Sequence, residues 1–265
     1  MFSIVKKRST RLKTTVFFLL LCFARTNAQT EWQNWNSIEL QMPISQKIGI
    51  KASHLRAYSI TNRYSGVFNQ LGLQVSYELN KRWDLQGGAQ FITPAASKET
   101  RTRIYARLSN TARLAAKLNW TNSLRAEINS KNEHRFRQRL IITTRLGLRK
   151  RLDFMNLAPS VAYSVFYNIG GNPIAYYDKD AQLIARQTPD GFHRSRFTVN
   201  LNSKINPYLR ISLYYMRQQE FNFLSSDTRK MNVYDPVRNR ILRPFNNYNT
   251  IGLSAQVVLD PFFNK

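Results

Sequence analysis

Over stretches longer than soluble strands usually run, side chains of this sequence alternate apolar and polar with a period of two. Leu71, Leu73, Val75, Tyr77 and Leu79 alternate with Gly72, Gln74, Ser76 and Glu78. Trp83, Leu85, Gly87, Ala89 and Phe91 alternate with Asp84, Gln86, Gly88 and Gln90, and Ile104, Ala106 and Leu108 with Arg101, Arg103 and Arg107. Phe136, Leu140, Ile142, Leu146 and Leu148 stand against Arg135, Arg137, Arg139, Thr143, Arg145 and Arg149. The pattern returns at 123–129, 196–205 and 209–218, and in a final segment with Ile251, Leu253, Ala255, Val257 and Leu259 on one face. A β-strand sends successive side chains to opposite faces, so each segment has one apolar face and one polar, often arginine-bearing, face. Segments of roughly 10 to 16 residues exceed the usual five or six.

Such a face pairs with a second sheet in a soluble sandwich or with lipid in an outer-membrane barrel. Connection lengths favour the barrel. Short connections fall near 80–82, 118–122, 150–153 and 206–207, and longer ones near 93–99, 169–191 and 222–247, with 130–133 a short exception. Short periplasmic turns alternating with long extracellular loops are the habit of bacterial barrels. The expected fold is all-β, an antiparallel transmembrane β-barrel of ten to twelve strands. Counting 34–44 as a wall strand gives eleven. Because bacterial barrels take even numbers, either 34–44 lies outside the wall or two strands are merged, with 100–118 the suspect.

The first 28 residues read as an address. Lys6, Lys7, Arg8, Arg11 and Lys13 precede the apolar run 16–24, and small or polar residues lead to Ala28. That is the layout of a secretory signal peptide, and the run is too short to span a bilayer as a helix. The expected division is 1–28 signal peptide and 29–265 barrel domain. The one cysteine, Cys22, follows Leu21 where a lipoprotein signal wants a small residue, and no cysteine remains for a disulfide scaffold or a thiolate metal site. The 40 basic and 15 acidic residues give a net charge of +25, which in isolation suggests nucleic acid. Cleavage removes six basic residues and no acidic one, leaving +19 on an exported chain that does not meet the genome. No mature segment approaches 18 consecutive apolar residues, as a membrane helix would need.

Strand parity sorts the arginines. The non-lipid face receives Arg101, Arg103, Arg107, Arg113, Arg125, Glu127, Arg135, Arg137, Arg139, Arg145, Arg149, Arg194, Arg196 and Arg210. An arginine facing lipid at the midplane costs about 2–4 kcal/mol, and a protein of this size cannot offset that many times over. A lumen lined this way lowers the barrier for anions and raises it for cations. The alternative is a closed barrel filled by its own polar network, with Glu78, Glu127 and Glu220 pairing with arginines and Tyr105 and Tyr214 filling space.

The stretches 123–128 (Ser-Leu-Arg-Ala-Glu-Ile), 133–140 (Glu-His-Arg-Phe-Arg-Gln-Arg-Leu) and 145–149 (Arg-Leu-Gly-Leu-Arg), with 192–197 and 209–219, resemble an uncharacterised bacterial family, domain of unknown function 2490. The resemblance spans most of 32–260. It implies an outer-membrane β-barrel of the kind common in the Bacteroidota, and it brings no reaction and no catalytic residues. In architecture alone the chain is similar to small porins with arginine-lined lumens that carry acidic oligosaccharides.

Catalysis would need a nucleophile and a base. His54, His134 and His193 are the histidines, the latter two near loop-side strand ends, and no serine sits in a nucleophile-elbow sequence. A lipid-modifying enzyme built on His134 or His193 is the third reading. No metal motif and no phosphate loop is present, so no cofactor is expected; Gly170-Gly171 reads as a loop start and Gly87-Gly88 as a close strand contact. Trp32, Trp35, Trp83 and Trp120 fall near expected strand ends, where barrels carry aromatic girdles. Pro261-Phe262-Phe263 resembles the aromatic ending that the barrel-insertion machinery reads, displaced from the terminus by Asn264 and Lys265. The expected setting is the outer membrane of a Gram-negative bacterium. The expected partners are its lipid, its lipopolysaccharide, that machinery and, through an open lumen, small anionic solutes, with no nucleic acid.

Overall fold

In a computed structural model, residues 31–97 and 99–259 are described. The expected signal peptide, Cys22 and the Pro261-Phe262-Phe263 ending lie outside the described residues. The chain runs β1 (Glu31–Pro43), β2 (Ile48–Ser59), β3 (Ser65–Glu78), β4 (Trp83–Pro94), β5 (Arg101–Ala115), β6 (Leu118–Asn129), β7 (Gln138–Leu148) and β8 (Leu157–Ile169). Then come a small hairpin, β9 (Ile174–Tyr177) and β10 (Leu183–Gln187), and β11 (Gly191–Lys204) and β12 (Leu209–Glu220). A second small hairpin, β13 (Val233–Asp235) and β14 (Arg240–Leu242), precedes β15 (Tyr248–Val258). Eleven strands close a barrel in the order β1-β15-β12-β11-β8-β7-β6-β5-β4-β3-β2.

Sequential neighbours pair antiparallel throughout, and closure is made by β1 and β15, which run parallel from Glu31↔Tyr248 to Gln41↔Val258. This corrects the antiparallel and even-numbered expectation at one seam. Both doubtful segments are wall strands, β1 covering 34–43 and β5 running unbroken to Ala115, and the odd count is absorbed by one parallel ladder.

Three of the short turns are fixed by a polar side chain at their start that accepts from two following backbone amides. Ser45 Oγ receives Lys47 and Ile48, Asn80 Oδ1 receives Arg82 and Trp83, and Asn206 Oδ1 receives Tyr208 and Leu209. Local side-chain acceptors of this kind are what favour Ser and Asn in turns. The turn expected at 118–122 is instead the pair Ala116-Lys117, and 118–122 opens β6. The 130–133 connection extends to Arg137, so Arg135, Phe136 and Arg137 belong to a loop. Inside the 169–191 connection, β9 and β10 form a hairpin whose turn is 178–182.

The apolar face of the strands points outward. Ile38, Leu71, Leu73, Ile104, Leu124, Ile128, Ile142, Leu213 and Leu253 all lie exposed, Ile38 at 63%. Trp32, Trp83 and Trp120 lie on that outer face near strand ends, as does Tyr77, and Tyr208 is exposed in the turn before β12. Trp35 departs from the girdle expectation. It faces inward with Gln33, the acceptor for its indole N–H at 2.8 Å, because odd-numbered residues of β1 all do. Within the wall strands, Arg, Lys, Asp and Glu fall on the inward parity with two exceptions, Arg56 and Arg217.

Candidate functional site: an arginine-lined cavity

The inward face encloses a cavity of about 560 Å³ toward the long-loop end. Its wall includes Arg101, Arg103, Arg107, Arg125, Arg135, Arg139, Arg194 and Arg196, with Glu127 and Glu133, and the aromatic rings of Trp35, Phe68, Phe136, Phe166 and Tyr248. Strand geometry gathers these groups: Arg103, Arg107, Arg125 and Arg139 lie on β5, β6 and β7, whose direct partners Arg107↔Arg125 and Glu127↔Arg139 share a face.

Two buried carboxylates organise the guanidinium groups. Glu127, 2% exposed, accepts from Arg139 Nε at 2.8 Å, has Arg139 Nη2 at 2.5 Å and Arg125 Nη2 at 2.7 Å, and lies 3.5 Å from Arg103 Nε. Glu220 accepts from Arg194 Nε at 2.9 Å and from Arg135 at 3.3 Å, and takes the backbone N–H of Asn246 at 2.7 Å. Glu133 lies 3.5 Å from Arg101. The remaining arginine contacts are neutral or aromatic. Arg107 donates to Ser123, Arg103 to Asn129, and Arg196 to Gln218 and Tyr248. Arg125 stacks 3.7 Å over Tyr105, and Arg139 lies between Phe136 and Phe166 at 4.6 and 5.0 Å. Guanidinium stacks well on rings because it is planar and weakly hydrated.

Eight guanidinium groups thus meet two lining carboxylates and a third, Glu220, behind Arg194 and Arg135, an excess of five positive charges. Inside low-dielectric walls such an excess attracts anions more strongly than on an open surface.

Not every arginine read from the sequence joins this cavity. Arg145 lies on the inward parity of β7 and Arg210 on that of β12, both nearer the short turns, and Arg210 Nε is buried without a hydrogen-bond partner. Arg113 is exposed where a bulge ends β5, Arg149 is exposed in the turn before β8, and Arg137 is exposed in the loop before β7, against Gly170. Phe136, expected on the outer face, is buried in the cavity wall because the strand parity does not extend through its loop. Of the three acids expected to pair with arginine, Glu127 and Glu220 do so, whereas Glu78 stands opposite Asp84 at the short-turn end. Sequence reading missed Glu133, Trp35, Phe68, Phe166 and Tyr248 as cavity residues. Alternation alone would have placed Trp35 and Tyr248 inside, had it been followed to the first residues of their strands.

A second, polar cavity of about 280 Å³ lies at the short-turn end, with Gln41, Lys51, Gln74, Asp84 and Gln256 on its wall. Tyr105 stands between the two. Its ring carries Arg125 of the upper cavity, and its hydroxyl donates to Gln74 of the lower at 3.0 Å. It packs across Gly88, where a Cβ would lie 2.9 Å from its hydroxyl, and Tyr214 lies over Gly252, where a Cβ would meet the ring at 2.0 Å. Glycine at these positions lets the rings lie flat against the wall.

The long loops fold over the upper mouth. Arg243 donates to the carbonyls of Arg135 and His134 at 3.0 Å and also to that of Asn172, while Arg135 donates back to Pro244 O at 2.8 Å. Burial first, and the nearby Arg135 second, lower the Arg243 pKa from its ordinary value. Tyr176 donates to Lys230 O at 3.0 Å, joining the two loops, and burial raises its pKa.

The three histidines sit in different surroundings. His54 is exposed on the outer face and His134 contacts Asn172 in a loop. His193 is fully buried, its ring nitrogens 3.2 Å from Phe221 O and 3.3 Å from Asp190 O, with Ser225 Oγ at 3.3–3.4 Å. Among the described residues no His/Cys/Asp/Glu cluster could hold a metal ion.

Residues 32–229 match the family model described as Protein of unknown function (DUF2490). No curated protein matches the chain in sequence. Among solved structures, the NanC porin in a rhombohedral crystal form is similar at 11% identity and a TM-score of 0.43, over 84% of this chain and 97% of that chain. The match covers well over half the sequence, and the protein belongs to the DUF2490 family.

Proposed function

We propose that this protein is a non-enzymatic outer-membrane barrel whose lumen passes small anions. The observation that carries this reading is the cavity's excess of guanidinium over carboxylate, eight against three, inside a barrel whose outer face is apolar. A closed sheet satisfies its backbone internally, which is what a strand structure in lipid requires. Short turns then face the periplasm and long loops the exterior. The arginine row gives a solute carboxylate or phosphate successive bidentate partners, and the aromatic faces beside it give its apolar parts a surface.

A second reading has its own support. Tyr105 separates two cavities and the Arg243 clasp covers the mouth, as expected of a structural or surface-binding barrel that conducts nothing. Planar-bilayer recording from the purified full chain decides between them. Discrete conductance steps are expected from the pore; a sealed bilayer at the same protein incorporation would leave the closed barrel as the function.

A further inference from the structure

The outer surface of the barrel is almost free of charge. On β4, β5, β6, β7, β8 and β11 no outward residue is Arg, Lys, Asp or Glu. The exceptions, Arg56 on β2 and Arg217 on β12, lie on either side of the parallel seam. Arg56 stands directly opposite Asn36 and Asn69, and Arg217 directly opposite Asn249. Asn36 and Tyr64 both donate to Asn34 Oδ1, at 2.6 and 2.8 Å. The Arg56 guanidinium lies 5.1 Å over Tyr58, which stacks on Tyr64 at 4.7 Å. The outward residues of β1, β2, β3, β12 and β15 include no carboxylate.

The depth of this patch is informative. Arg56 is the fourth residue from the end of β2. At about 3.3 Å per residue and a tilt near 40°, it lies about 8 Å below the strand end. A 12-residue strand spans roughly 30 Å along the axis against an apolar band of about 25 Å. Arg56 therefore starts about 5 Å inside the band edge, within reach of the headgroups when its side chain snorkels. Arg217 is about 14 Å away across the sheet, three strand spacings, and offset along it as well. No single inorganic phosphate reaches both, whereas a layer of lipid headgroups does. Self-association through this face would bring arginine against arginine with no acid to compensate.

We propose that the seam face, through Arg56 and Arg217 with Asn34 and Asn36 between them and Asn69 on the far side of Arg56, holds phosphate-bearing lipid headgroups of the leaflet at the long-loop end. This rests on the membrane-barrel reading and is independent of conduction. The test reconstitutes the full chain into nanodiscs of phosphatidylcholine with one part in ten phosphatidic acid, and counts retained lipids by native mass spectrometry. The wild type is expected to retain phosphatidic acid above its bulk share, and Arg56→Gln with Arg217→Gln to lose that enrichment by about fivefold per arginine. Arg56→Lys with Arg217→Lys, which keeps the charge, is expected to retain most of it, and Lys81→Gln, in a turn at the opposite end, all of it. Equal retention by wild type and the Gln variant overturns the proposal. So does displacement of the lipid by millimolar inorganic phosphate, or particles holding two chains in the wild type and one in the Gln variant. A chain that never enters the discs overturns the barrel reading beneath it.

Discussion

Replacing Glu127 by Gln would remove a carboxylate that holds three guanidinium groups together. Glu127 is 2% exposed, has close contacts to Arg139 and Arg125 on its two oxygens, and lies 3.5 Å from Arg103. Arg139 is itself buried between two phenylalanine rings, so the substitution leaves an uncompensated buried cation. Glutamine preserves size and one acceptor oxygen but turns an N–H toward a guanidinium. Each close hydrogen bond to a charged group is worth about 1.5–3 kcal/mol, and removing one partner of a buried pair costs about 3–5 kcal/mol. The expected loss of stability is therefore about 3–5 kcal/mol, measured by urea unfolding from lipid vesicles with tryptophan fluorescence as the signal. Adding Arg139→Met should recover most of it, because an apolar side chain of similar length between Phe136 and Phe166 leaves no buried charge. A loss under about 1 kcal/mol would refute the reasoning: bulk water would then be screening these arginines, and the network would not be holding the lumen.

Other consequences are open to measurement. Tyr105→Ala should join the two cavities and raise single-channel conductance several-fold; unchanged conductance would mean the constriction lies elsewhere. Arg243→Ala removes donors to three loop carbonyls, and amide hydrogen exchange of 221–247 should accelerate while exchange in β5–β8 stays as it is. In single-tryptophan variants, brominated lipid should quench Trp32, Trp83 and Trp120 and spare Trp35, because only Trp35 points inward. Quenching of Trp35 as strong as that of Trp83 would contradict the register of β1.

The strand pattern was legible because alternation needs only neighbouring residues. Leu71 to Leu79 and Ile251 to Leu259 could be read as outward faces without knowing their partners. Family membership was legible from the arginine-rich stretches around 123–149 and 192–219. Closure was not legible, since a parallel pairing between residues 31–41 and 248–258 is a long-range fact that neither segment encodes alone. Loop residues failed for a related reason. Parity carried Phe136 outward, yet that residue sits in an irregular loop whose direction is set by Gly171, where a Cβ would fall 2.6 Å from Arg135 O, and by Arg243, more than a hundred residues away. The aromatic lining of the cavity escaped because an aromatic residue near a strand end fits a membrane girdle and a lumen wall equally well. Only the parity of Trp35 separates the two.

The reversal potential of the reconstituted barrel under a KCl gradient tests the central claim most directly. A lumen with five uncompensated arginine charges should draw it toward the chloride equilibrium potential, and Arg107→Gln with Arg196→Gln, which removes two cavity arginines lacking a carboxylate partner, should bring it back toward zero. A reversal potential on the potassium side, or one that those substitutions do not move, would contradict the account.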